Sequence, residues 1–125
     1  MLPARSRLTG GDEFASVIRR GRRSGRPRMV VHLQIMGDTD ATPRAGLVVS
    51  RAVGGAVVRH RVSRRLRHLL APRLASLPAG ACVVVRALPP AAEATSAELA
   101  VDLDAGLRGA LRKLPGARRP DGVQR

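Results

Sequence analysis

Three histidines and one cysteine are the side chains best suited to metal or nucleophilic chemistry in this chain. His60 and His68 stand eight positions apart, too far for the i, i+4 pair that a helix offers a metal ion. No Asp or Glu occurs between Ala41 and Ala92, so neither histidine has a nearby carboxylate to complete a facial triad or to orient a base. Cys82 is alone, which excludes an intrachain disulfide and any cysteine cluster. Set in the run ACVVV, it reads as a small core residue. No catalytic residue and no metal ligand is therefore expected on the protein. What surrounds the two histidines is arginine: Arg51, Arg59, Arg61, Arg64, Arg65 and Arg67. A planar guanidinium grips phosphate oxygens in pairs and stacks on bases. The chemistry on offer is phosphate binding, not bond making.

These residues need a helix to hold them. Ser50 to Leu74 opens on Gly54-Gly55 and then separates its residues by type. At about 100° per residue, Val58, Val62, Leu66, Leu69 and Leu70 fall in one arc, and His60, Arg61, Arg64, Arg67 and His68 in the opposite one. Leu74 lies near the apolar edge, and Arg65 lies between the faces. Arg59 sits beside the apolar edge and must snorkel. The backbone of Gly54-Gly55 either meets a phosphate at the helix start or makes a plain turn. Pro72 is expected to end or kink the helix. With no acid on it, the helix calls for an external polyanion.

The remaining elements follow in order. Met1 to Arg7 is a basic arm, expected to be poorly ordered. Gly11 to Arg20 is a short helix, capped by Thr9 or Asp12, with Phe14, Val17 and Ile18 on one face. Arg19 to Arg28 is a basic loop punctuated by glycine, expected to meet an anion. Met29 to Met36 and Ala45 to Ser50 read as strands that pair as a hairpin around the turn at Gly37 to Pro43. Ala81 to Leu88 is apolar almost throughout and reads as a central, buried strand. Ser96 is expected to cap a helix from Ala97 to Leu114. Acids crowd its start and bases its end, as the helix dipole favours. Ala117 to Arg125 is a basic tail, expected to be disordered. The order suits an α+β fold with helices packed on one sheet.

The 125 residues suit one domain, and the net charge of +14 is very large for that length. All but Lys113 of the 23 basic side chains are arginine. Such a charge is commonly carried to meet nucleic acid, whose counterions it releases. Phe14 is the only aromatic residue, so single-stranded bases have few rings to stack on. No apolar run is long enough to span a membrane, and the amino-terminal stretch has no signal-peptide core. A soluble, cytoplasmic protein is expected.

The stretch Ala45 to Arg67, AGLVVSRAVGGAVVRHRVSRRLR, resembles the signature of the bacterial ribonuclease P protein subunit. Gly46, Leu47, Val49 and Ser50 match its strand. Gly54, Ala56 and Val57 match its helix entry, and Arg59, Arg61, Arg64 and Arg67 match its four arginines. Arg51 replaces the usual Lys, His60 the usual Asn, and Ser63 the usual Lys. Arg7-Leu8, Glu13-Phe14 and Gly21 also match. The likeness covers roughly residues 7–114.

The resemblance implies a two-layer α/β sandwich of order αβββαβα, similar to a ribosomal-protein domain, with a left-handed β–α–β crossover. The domain would span residues 8–114, between the arm 1–7 and the tail 115–125. The resemblance further implies a monomer bound one-to-one to ribonuclease P RNA, with precursor tRNA as substrate and no membrane partner. The RNA would carry out endonucleolytic removal of the 5′ leader with Mg²⁺ held mainly by itself. Arg51, Arg59, His60, Arg61, Arg64, Arg65, Arg67 and His68 would contact that RNA. A cleft between the first helix, the sheet and the central helix would hold the leader. Phe14 keeps the aromatic lining of that cleft, while Ile18, Met29 and His32 stand where other members carry Phe or Tyr. Weaker base stacking and more reliance on arginine are expected. A basic ribosomal or ribosome-associated protein is the alternative. It shares the charge but gives no reason for the Ser–basic–Gly–Ala-Val–arginine arrangement. A protein-only nuclease would need carboxylates clustered for a metal, and the acids here are scattered.

Overall fold

Ala81 to Val85 is buried at every position, so this strand needs strands on both flanks and helices on both faces. The computed structural model, which describes residues 2, 4–8, 10–36 and 41–114, supplies all four. Its elements are α1 (Gly11–Arg20), β1 (Arg22–Gly25), β2 (Met29–Ile35), β3 (Arg44–Val48), α2 (Ala56–Leu74), β4 (Ala81–Ala87) and α3 (Ser96–Arg112). The sheet order is β1-β2-β4-β3. β1 and β2 are antiparallel, β2 and β4 antiparallel, and β3 and β4 parallel.

This order corrects the expected hairpin. β2 and β3 do not pair, because the apolar β4 inserts between them. Part of the expected basic loop is also a strand: β1 pairs Arg22 with Leu33 and Gly25 with Val30. The tail 115–125 and the centre of the turn, 37–40, lie outside the described residues, as does Thr9.

Val62, Leu66, Leu70 and Leu74 of α2 join Leu99, Leu103, Leu107 and Ala110 of α3 on the sheet face of Met29, Val31, Leu33, Ala45, Val83 and Val85. α1 crosses the other face, where Val17 packs with Leu8, Cys82 and Val84. The hand of the crossover follows from Ala45. Its side chain faces the α2 layer, while its carbonyl accepts from the Leu8 N–H at 2.9 Å on the outer edge of β3. Viewed from the α2 side with β3 running upward, an L-residue facing the viewer sends its carbonyl to the right. The outer edge is thus on the right and β4 on the left. The β3–α2–β4 connection is therefore left-handed, against the usual preference.

Several ends differ from expectation by local chemistry. Residues of the amino-terminal arm are packed: Ala4–Ser6 form a 3₁₀ turn, Leu2 and Leu8 are buried, and Arg7 bridges to Ala45. Gly10 precedes α1 without a side-chain cap. α2 runs two residues past Pro72, because the core takes Leu74. Thr95, not Ser96, caps α3. Its side chain accepts from Glu98 N–H while the Glu98 carboxylate accepts from Thr95 N–H, a reciprocal pair that the Thr-x-x-Glu spacing allows. α3 approaches the sheet closely, since a Cβ at Gly106 or Gly109 would lie 2.5 Å from Val31 or Ser24.

Asp102 is buried at 3% exposure and holds the β1–β2 turn to α3. It accepts from the Arg28 backbone N–H at 3.1 Å and from Nη1 at 3.2 Å. Asp102→Ala leaves a backbone donor unmet in the interior, so urea unfolding should show a loss of about 1–3 kcal/mol. Asp102→Asn, which keeps an acceptor, should recover part of it.

Candidate nucleic-acid interface

α2 sorts its basic residues into braced and unbraced sets. Arg61 Nη2 donates to the Ala92 carbonyl at 3.0 Å, and Arg65 Nη1 to the Ala94 carbonyl at 2.7 Å. These two arginines, one turn apart, tie α2 to the segment ahead of α3. Arg59 Nε donates to the Gly54 carbonyl at 3.1 Å and closes the helix entry. A Cβ at Gly54 would meet Val58 at 2.9 Å, so this glycine has a packing role. His60, Arg64 and His68 stand exposed at successive turns, with Arg67 half-buried beside them and Arg51 exposed in the preceding loop. None of these five has a hydrogen-bond or ion-pair partner among the described residues.

Four of the described carboxylates are engaged elsewhere. Glu13 pairs with Arg44 at 2.8 Å, Asp104 with Arg73 at 2.6 Å, and Glu98 and Asp102 both with Arg28. The Arg73 hydrogen bonds hold the Asp104 carboxyl below its ordinary range. Among the described residues no three His, Cys, Asp or Glu side chains gather as a metal site. Cys82 is buried, and burial raises its thiol pKa.

The α1 face of the sheet can be read rung by rung from strand register. Arg44, Cys82 and Gln34 form one rung under α1, where Ser16 Oγ bonds Gln34 at 3.1 Å and Glu13 meets Arg44. Gly46, Val84, His32 and Arg23 form the next. The Phe14 ring lies over Gly46, where a Cβ would collide with it. Val48, Arg86, Val30 and Gly25 form the third. The α1 contacts fall on the first two rungs; the third is a strip in which Val30 is buried, Val48 and Arg86 are half-buried and Gly25 is exposed. β3 leaves the sheet at Val48, so Arg51 and the start of α2 follow from the end of this strip.

The structure thus brings Phe14, Ile18 and His32 to one face and puts Met29 on the other. Met29 is fully buried under the helices. The separation follows from the strand period of two, since positions 29 and 32 cannot share a face. The same parity places Val30 beside His32, and β4 register adds Arg86. Both were missed in the sequence, though the β2 half was readable there. His32 itself is 2% exposed, beneath the strip's margin.

The comparisons with known proteins agree on one family. The family model described as Ribonuclease P matches residues 2–111. A ribonuclease P protein component from Streptomyces griseus is 57% identical over 115 residues, covering 86% of this chain and 94% of that protein. One from a Mycobacterium species is 53% identical over 110 residues, covering 88% and 93%. The chain belongs to the ribonuclease P protein family. The fold agrees: the Staphylococcus aureus RNase P protein superposes with a TM-score of 0.74 at 23% identity, covering 82% of this chain and 93% of that one. The Thermotoga maritima RNase P protein, in a complex with 1-(4-fluorophenyl)-2-thiourea, gives 0.71 at 21%, covering 87% and 100%. Membership in the ribonuclease P family places the chain in tRNA 5′ processing, as the protein part of an endoribonuclease holoenzyme. Among the described residues no helix is long and apolar enough to cross a membrane.

Burial first, then Arg86 and Arg23, push the His32 pKa below its ordinary 6.5. The unfolded imidazole takes a proton near that value and the folded one only at lower pH, so protonation favours unfolding. The contribution of His32 to stability is complete above pH 6.5 and is lost as pH falls through that value toward the folded pKa. Thermal unfolding across this range should show the acid limb in the wild type and a shallower one in His32→Phe.

Proposed function

We propose that the exposed row of α2 binds ribonuclease P RNA and that the strip beside α1 receives the single-stranded 5′ leader of precursor tRNA. One observation supports this most: Arg51, Arg64 and Arg67 have no carboxylate partner among the described residues, while Glu13, Glu98, Asp102 and Asp104 are held by arginines elsewhere. Phosphates supply the missing counter-charge, and structured RNA is met through its backbone and shape. The roles within α2 divide. Arg51, His60, Arg64, Arg67 and His68 contact the RNA. Arg59, Arg61 and Arg65 hold the helix in place and present their remaining donors to it.

In this reading the RNA carries the catalysis and holds the Mg²⁺. Four carboxylates, Glu13, Glu98, Asp102 and Asp104, are committed to arginines, and no three candidate ligands gather among the described residues. The protein acts as a monomer, one copy per RNA, in the cytoplasm. Its contribution is affinity: phosphate contacts along α2, and a leader held by Phe14, Ile18 and Val48 with Arg86 beside them. With one ring available, base stacking is limited and arginine carries more of the leader contact.

The reading is tested by cleavage of a precursor tRNA at low Mg²⁺ with protein alone, ribonuclease P RNA alone, and both. Cleavage with both, and not with either part, is the expected result. Activity from protein alone would overturn it. Arg64→Ala should lower the log–log salt slope of RNA binding by roughly 0.7–0.9, one phosphate contact, with stability unchanged. Arg61→Ala should lower stability as well, because the Ala92 carbonyl loses its donor. An unchanged slope for Arg64→Ala would remove that residue from the interface.

A further inference from the structure

His32 has no role in the account so far beyond lying at the margin of the strip. It is 2% exposed, and neither Nδ1 nor Nε2 has a hydrogen-bond partner among the described residues. A buried imidazole with both nitrogens unmet is costly, and such a group commonly marks a missing ligand or water. Its polar surroundings are cationic. Arg23 stands directly across on β1, and Arg86 is its diagonal neighbour on β4, one rung along on the same face. That diagonal is about 7–8 Å, within reach of a long side chain. Neither arginine has a carboxylate partner among the described residues. α1, which packs over the same rung, brings no counter-ion. Glu13 is spent on Arg44 two strands away, Asp12 is exposed at the helix start, and Arg19 and Arg20 add positive charge. The cluster is made of donors and lacks an acceptor.

We propose that Arg23, His32 and Arg86 form a phosphodiester site at the margin of the strip, in which the protonated imidazole donates to a non-bridging phosphate oxygen. The site rests on the reading of the strip as the seat of the leader, and gives that reading a specific backbone contact. Arg23 is exposed and Arg86 half-buried. Their guanidinium groups can lift onto the phosphate and uncover the ring. The anion then offsets the repulsion that both arginines exert on an imidazolium and supplies its missing acceptor. Both effects raise the proton affinity of the ring. Leader binding therefore takes up a proton, and it tightens as pH falls. No covalent bond changes. The contact reads the backbone, so it holds leaders of any sequence.

The test is the ratio of precursor to mature tRNA affinity for the holoenzyme, measured without cleavage in Ca²⁺ from about pH 8 to about pH 5.5. Both tRNAs meet the same His60 and His68, so the ratio isolates the leader. It should rise about three- to tenfold across that range, tenfold corresponding to one unit of pKa change on binding. His32→Gln and His32→Phe should flatten it. In the unaltered protein, the imidazole NMR signal of His32 should titrate at a higher pH when a short single-stranded RNA is added, which needs no variant. A precursor preference that persists without pH dependence would overturn the site and leave the leader reading standing. So would pH dependence that survives in a folded His32→Gln protein. A ratio of one at every pH would remove both.

Discussion

The apolar character of β4 is the constraint on which the structure depends. A strand with no water-facing side from Ala81 to Val85 cannot sit at an edge. It takes the inner position next to β2, forces β3 to its far side, and requires α2 to lie over one face and α1 over the other. The left-handed crossover follows from that demand combined with the edge contact of Leu8 on Ala45. Both candidate surfaces are by-products. The strip exists because α1 runs across the strands, from Arg44 of β3 to Gln34 of β2, over the first two rungs. α2 presents a basic side because only one of its sides is needed to bury the sheet.

Charge is distributed with the same economy. Nine acids face twenty-three bases, and the described carboxylates that pair do so where an arginine fixes one element to another. Arg28 joins the β1–β2 turn to α3, Arg44 joins β3 to α1, and Arg73 joins α2 to α3. Arg61 and Arg65 achieve the same end with backbone carbonyls, which leaves their charge uncancelled. The α2 surface is thus braced at Arg61 and Arg65 while the charge of both stays uncancelled. This is the arrangement that a polyanion of fixed shape rewards.

Much of this was legible in the sequence, and the exceptions have identifiable causes. The period of α2 set apart Val62, Leu66 and Leu70 from His60, Arg64 and His68. The Gly-Leu…arginine signature carried the family. Proximity in sequence suggests a β2–β3 hairpin, and the structure has β4 between the two. The rule that a fully apolar strand must be flanked outweighs proximity, and it was available from ACVVV. Met29 and His32 lie on opposite faces because a strand alternates, which the spacing of three already dictates. The bonds from Arg61 to Ala92 and from Arg28 to Asp102 were not readable. They join positions 31 and 74 residues apart, and nothing in either segment marks its partner.

The strand order also bears on how the chain is made. β3 has no strand to pair with until β4 has been synthesised, because its sheet neighbour lies beyond the whole of α2 in sequence. A nascent chain that has emerged only as far as residue 80 can form the β1–β2 ribbon and little more of the sheet. For that interval the arginines of α2 are displayed on a segment without a core to hold it. Non-local closure of this kind is slow, and it leaves a strongly cationic, half-folded chain in a compartment crowded with RNA. Early capture by an RNA partner would neutralise the charge while the sheet waits for its central strand. Folding and assembly are then linked in time as well as in energy.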